Sequence, residues 1–217
     1  MPVVLIVNPK GGVGKSTVAT NLAGWFAAGG RPTMLGDLDK QQSALGWLAR
    51  RPASAPKIVS WDVDTDRIAR PPRGISHVVL DSPAAIHGHL LKDALKVADR
   101  VIVPLQASLF DIYATQAFLA RLLDRAGLKE SGQVGVLGMR VDQRTRAAEQ
   151  LHRFVDGLGL PVLGFLRDTQ NYVQLAAHGL TLWDVAPSRV EKDVAQWQPL
   201  LDWVETGVLR AAPAAIE

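Results

Sequence analysis

The sequence predicts an α/β fold of three layers, a mostly parallel twisted sheet with helices on both faces. Three observations predict it. The apolar run Val3-Val4-Leu5-Ile6-Val7 reads as a buried parallel strand, it is followed by the glycine-rich turn Gly11-Gly12-Val13-Gly14, and Thr17 to Ala28 then reads as a helix. From there to the last helix, short apolar runs alternate with helical patterns, as repeated strand–helix units require. The expected strands are Val3–Asn8, Thr33–Gly36, Lys57–Trp61, His77–Asp81, Arg100–Leu105, Val134–Val141 and Val162–Leu166. The expected helices are Lys15–Ala28, Gln42–Arg50, Leu90–Ala98, Asp111–Ala126, Thr145–Leu158, Asn171–Ala177 and Arg189–Glu205. Pro52, Pro56 and Pro71-Pro72-Arg73-Gly74 punctuate loops, and no internal repeat interrupts the pattern.

The turn carries the chemistry. Gly11, Gly12 and Gly14 lack a Cβ, so the backbone N–H groups can approach phosphate oxygens, with the positive end of a helix dipole behind them. Lys15 is placed to neutralise terminal phosphates, and Ser16 to hold Mg²⁺ through its hydroxyl. A glycine-rich turn with solvated lysines is the bland alternative. The general G-x-x-x-x-G-K-[ST] pattern is incomplete, because Pro9 stands where its first glycine belongs.

In its place stands Lys10-Gly11-Gly12-Val13-Gly14-Lys15-Ser16-Thr17, which resembles the deviant Walker A loop of the ParA/MinD family of P-loop ATPases. The resemblance implies a P-loop NTPase fold, ATP and Mg²⁺ as cofactors, nucleotide contacts from residues 11–17, and a Lys10 that reaches the partner's nucleotide in an ATP-bound homodimer. Asp37-Leu38-Asp39-Lys40-Gln41 is similar to the family's D-x-D-P-Q segment, which implies a metal-supporting role for Asp37 and a water-positioning, catalytic role for Asp39. Two residues apart on an extended segment, the two carboxylates point to the same side. Strand-end aspartates also serve turns and helix N-caps. Asp81, after His77-Val78-Val79-Leu80, is the expected Walker B aspartate beside Mg²⁺. A carboxylate that is ionised at neutral pH is a weak base, so slow hydrolysis is expected.

Lys40, Gly36 and Met139-Arg140 depart from the family pattern, which has proline, a larger apolar residue and Asn-Arg there. Met139 and Arg140 are carried over as adenine-side residues. Leu166 to Tyr172 and Gly179 to Trp183 look like the family's segment that closes over the base.

Composition narrows the function further. A chain of 217 residues with 47% apolar content suits one sizeable domain, residues 1–217 with 210–217 as a flexible tail. The absence of cysteine excludes disulfides and thiolate metal sites, and with no secretory leader in view the expected location is cytoplasmic. The formal charge of +3 is too modest to establish a nucleic-acid binder by itself. Arg140, Arg144, Arg146 and Arg153 cluster around one strand–helix unit, and Arg189 and Lys192 open the last helix. The resemblance implies that a dimer binds DNA without sequence preference, through such residues, at the nucleoid. A ParB-like or cargo-adaptor protein is the implied partner. A terminal basic amphipathic helix of the MinD kind is not seen in Arg210-Ala211-Ala212-Pro213-Ala214-Ala215-Ile216-Glu217, so no membrane association is expected. The last helix carries Val190, Val194, Trp197, Leu201, Val204 and Val208 as its expected packing stripe. Partitioning or positioning of a plasmid, chromosome region or protein cluster is the leading function. An ATP-dependent synthetase of the dethiobiotin or cobyrinic-acid-diamide type and a membrane-cycling ATPase are the alternatives, and Lys10 favours the first reading.

Overall fold

The apolar runs become strands β1 (Val3–Ile6), β2 (Thr33–Asp37), β3 (Ile58–Trp61), β4 (His77–Asp81), β5 (Arg100–Gln106), β6 (Val134–Met139) and β7 (Val162–Phe165). Between them run α1 (Lys15–Ala28), α2 (Ser43–Leu48), α3 (Gly88–Val97), α4 (Leu109–Ala126), α5 (Arg146–Asp156), α6 (Gln170–Ala177), a short 3₁₀ turn (Leu182–Asp184) and α7 (Pro187–Thr206). The computed structural model describes residues 2–63, 68, 71–126 and 132–208. The tail expected at 210–217 lies outside the described residues.

All seven strands join one sheet in the order β3-β2-β4-β1-β5-β6-β7, and every described pair is parallel. Strand alternation assigns the two faces: Val3, Leu5 and Val7 join one core with residues of α3, α4 and α5, while Val4 and Ile6 join the other with α1, α2, α6 and α7. The result is the predicted three-layer α/β sandwich. Central β1 lies between β4 and β5, and the chain builds outward in opposite directions from it. Such a switch point opens a crevice beyond the strands' carboxyl ends. The glycine turn follows β1 directly into it.

The boundaries shift where single residues overrule the pattern. β6 stops at Met139, short of Val141, because Arg140 takes a left-handed backbone (φ 52°) that no strand continues. α7 starts two residues early because Pro187, with its fixed φ and missing N–H, suits a first helical turn. Thr145 is the N-cap of α5, its side chain accepting from the Ala148 N–H. Gly36 has a packing reason: a Cβ there would stand 2.7 Å from Leu80 Cδ2 and 2.8 Å from Val63 Cγ2.

A buried ion pair ties the end of α2 to the far end of the chain. Arg51 donates Nη1 and Nη2 to the two carboxylate oxygens of Asp184, each at 2.8 Å, and Nη1 also reaches the Gly179 carbonyl at 3.1 Å. Asp184 in turn accepts from the Thr181 N–H and hydroxyl, closing a capping box on the 3₁₀ turn.

Candidate functional site: a phosphate cradle at the end of the central strand

Asn8 builds the turn from below. It is fully buried, its Nδ2 donates to the Pro104 carbonyl and the Thr115 hydroxyl, and its Oδ1 accepts the Lys10 N–H at 2.8 Å. The rising chain is thereby anchored to β5 and α4. Gly12 and Gly14 hold positive φ (76° and 96°), and a Cβ at Gly14 would also stand 2.7 Å from Met139 Cε. Gln106, at the end of β5, donates to the Gly12 carbonyl at 2.9 Å. Val13 is buried beneath the turn, while Ser16 and Thr17 open α1, whose first N–H groups face the crevice.

The two lysines are placed differently. Lys15 is buried inside the turn, its Nζ donating to the Lys10 carbonyl at 2.9 Å. Burial lowers its pKa, against the attraction of Asp81 and Asp39, so the ammonium sits poorly solvated among anionic neighbours. Lys10 points outward with its side chain 41% exposed, 3.3 Å from Asp111 Oδ1 on the first turn of α4.

Asp81 ends β4 alongside Asp37 at the end of β2, the two being register partners. Burial raises the Asp81 carboxyl to about 7, and the nearby Asp37 charge pushes the same way; a hydrogen bond from Ser16, Lys15 and the Ser82 N–H oppose it. Both oxygens of Asp37 accept backbone N–H groups: Oδ1 from Asp39 at 2.9 Å and Oδ2 from Ala44 at 2.8 Å. It thus shapes the loop that carries Asp39 and caps the approach to α2. Asp39 itself is half-exposed at the crevice, near enough to Lys15 to act on its charge, with Oδ1 accepting from the Gln41 N–H. Lys40 points to solvent.

These groups fit Mg²⁺ with a polyphosphate. The ion prefers oxygen donors, takes few from protein and the rest from phosphate and water. Ser16 and Asp81 supply a hydroxyl and a carboxylate in direct contact, and the buried Ser82 hydroxyl next to them has no partner among the described residues. Among the described residues there is no group of three or more His, Cys, Asp or Glu that forms a self-sufficient metal cage.

Beside Gly14 and Thr17 lies a second cavity of about 270 Å³, walled by Met139, Arg140, Arg167, Asp168, Thr169 and Tyr172 together with the first turns of α6. Met139 is buried and Arg140 exposed at its rim. The segment 166–172, expected over the base, lines this cavity, whereas Gly179 to Trp183 is spent on α1: the Leu182 N–H and the Trp183 indole both bond Asn21.

The basic residues divide. Arg140, Arg144, Arg146, Arg153, Arg189 and Lys192 are all exposed, but α5 and α7 pack on opposite faces of the sheet. Arg144 is bidentate on Asp142 at 3.0 Å, and Arg153 lies 3.9 Å from Glu149. The sequence pointed to Arg167 only as part of the segment 166–172, and gave no role to Asn8, Asp111 or Asp193; of these three only Asn8, a polar residue ending an apolar strand, carried a visible signal.

A crevice at the switch point, with a glycine turn, an inward lysine and a buried carboxylate, defines a P-loop nucleotide-binding protein. The comparisons agree. Residues 4–182 match the family model for the CobQ/CobB/MinD/ParA nucleotide binding domain, and the chain belongs to that family. It is similar to Maintenance of carboxysome distribution protein A of Gloeobacter kilaueensis, at 32% identity over 184 residues, 83% of each chain. It is also 32% identical over 183 residues to the Chromosome-partitioning ATPase Soj of Thermus thermophilus, covering 68% of this chain and 73% of that one. Among solved structures, the ATP complex of Cyanothece McdA superposes with a TM-score of 0.71 at 14% identity, covering 98% of this chain and 99% of the other.

Proposed function

We propose that this chain is a ParA-type ATPase that binds ATP with Mg²⁺, pairs into a homodimer in that state, and partitions or positions a cargo over DNA. The observation that carries the reading is the opposed placement of the two lysines, Lys15 turned into its own cradle and Lys10 turned outward. One lysine serves the bound nucleotide. The other is free to serve a second copy once it leaves Asp111. The names of the relatives, a carboxysome-distribution protein and a chromosome-partitioning ATPase, support positioning as the task, and the ATP complex of the McdA neighbour supports the nucleotide.

In this reading the N–H groups of residues 11–17 cradle the phosphates and Lys15 neutralises the terminal ones. Mg²⁺, when bound, offsets the charge that builds on the phosphate oxygens; Ser16 and Asp81 hold it. Asp37 fixes the loop, so Asp39 presents its carboxylate at a set height above Lys15 and orients the attacking water. Met139 and Arg140 border the base. The ATP-bound dimer binds DNA through exposed arginines, and a ParB-like or adaptor protein stimulates turnover.

Light scattering with ATP and Mg²⁺ tests the reading. Wild type is expected to dimerise, Lys15→Ala to lose nucleotide binding by at least about tenfold, and Lys10→Ala to bind ATP but remain monomeric. Normal ATP-induced dimers of Lys10→Ala remove the cross-subunit role.

A further inference from the structure

The wall of the base-side cavity is not held by its own helix. It is gripped from α7, by three residues one helical face apart: Asp193, Gln196 and Trp197. Asp193 Oδ1 accepts from Arg167 Nε at 2.5 Å and its Oδ2 from Asn171 Nδ2 at 2.6 Å. Gln196 Oε1 accepts from the Arg167 N–H at 2.9 Å, and the Trp197 indole donates to the Tyr172 hydroxyl at 2.9 Å. Every one of these acceptors or donors on the wall belongs to the segment 167–172, four of whose residues line the cavity or its rim.

Asp193 is the feature that demands a reason. It is wholly buried, while the Arg167 side chain it holds is 42% exposed. A buried carboxylate loses its hydration, and its attraction to a half-exposed guanidinium repays that loss poorly, so such a pair is weak ground for a stability role. What the pair does secure is position. With Nε committed to Asp193, the planar guanidinium cannot swing about its stem, and no described residue bonds its terminal amines. A flat, weakly hydrated cation held at a cavity edge is a surface on which a heteroaromatic ring stacks.

From this we infer that Asp193 is a positioning residue for nucleobase recognition: through Arg167 and Asn171 it sets the wall against which the base of a nucleoside triphosphate lies. The inference rests on the nucleotide reading of the cradle. It assigns the phosphates to the glycine turn and the preference for a base over bare phosphate to the α7 grip. The two can be separated because inorganic tripolyphosphate shares the first and lacks the second.

The test compares Mg-ATP with Mg-tripolyphosphate on wild type and Asp193→Asn, which keeps the volume but sets an amide against two donors. ATP affinity and the KM for ATP hydrolysis are expected to weaken about tenfold, with kcat within about twofold and tripolyphosphate affinity unchanged. Asn171→Ala cuts the same grip at a half-buried position and is expected to give a smaller split of the same sign, which covers the case where the α7 variant fails to fold. If both ligands weaken together, or ATP affinity holds in both variants, Asp193 is structural and the inference fails while the nucleotide site stands. If wild type binds neither ligand, the nucleotide reading falls and takes this inference with it.

Discussion

Asp81, at the end of β4, and Asp39, in the loop after β2, respond to opposite demands. Asp81 is buried with a carboxyl raised to about 7, so between its ordinary value and 7 the native protein holds a proton that the unfolded chain releases. Stability from this group is therefore greatest at low pH and is lost as pH rises through about 7. Asp81→Asn removes that titration. In the nucleotide-free protein in chelator, it is expected to raise the melting temperature by several degrees at pH 8 and by clearly less at pH 5; an equal shift at both would mean the carboxyl ionises normally. Asp39 is held half-exposed by backbone bonds alone, and its loss leaves the cradle intact. Asp39→Ala should cut phosphate release about 100-fold while ATP binding persists. Wild-type turnover in that variant would assign the water to another group.

Whole elements were easier to read than their ends or their polar anchors. Each predicted strand and helix exists because apolar periodicity is a sum over many residues, and single substitutions in conformation hardly disturb it. Ends depend on one residue, as the left-handed Arg140 and the helix-starting Pro187 show. The stripe expected on α7 is buried at Val190, Trp197, Leu201 and Val204, but the buried face also takes in Asp193, Leu200 and Trp203, one step around the helix. A charged residue at that step reads as solvent from sequence, and only the partners Arg167 and Asn171, distant along the chain, explain its burial. The same holds for Arg51 and Asp184, separated by more than half the chain and joined beneath α2. Removing Arg51 strands a buried carboxylate, so Arg51→Ala is expected to cost about 3–5 kcal/mol in chemical denaturation. A loss below about 1 kcal/mol would show that water replaces the guanidinium.

At the scale of the molecule, the sheet decides what the surface arginines can do together. α5 and α7 pack on opposite faces of the sheet, so Arg146 and Arg189 sit on two different helices and their substitutions report on two separate places. Arg146 has no ion-pair partner among the described residues, whereas Arg144 is neutralised by Asp142. If DNA lies on the α5 side, Arg146→Ala should reduce the salt dependence of binding by about one unit of slope, with Arg144→Ala doing less. A mobility-shift titration of the ATP-trapped dimer at two salt concentrations reads this, and an unchanged slope together with a loss from Arg189→Ala would move the duplex to the α7 side. No described helix is long and apolar enough to cross a membrane.

The indole of Trp197 has a use that its packing did not suggest. It is fully buried, hydrogen-bonded to the Tyr172 hydroxyl at the wall of the cavity, and edge-on to Trp183 with ring centroids 6.2 Å apart. Burial holds that phenol's pKa up at about 12, so it remains a protonated neighbour throughout the working pH range. A ring lying against Tyr172 shifts the electric field at the indole, and emission colour follows that field. Filling the base cavity should therefore change the protein's own fluorescence, whereas a ligand confined to the glycine turn should leave it dark to the detector. ATP is expected to shift the spectrum and tripolyphosphate to leave it still, with Trp197→Phe erasing the difference; six tryptophans emit, yet only this one is wired to the wall. The chain thus carries an unlabelled optical gauge of which end of a nucleotide has arrived.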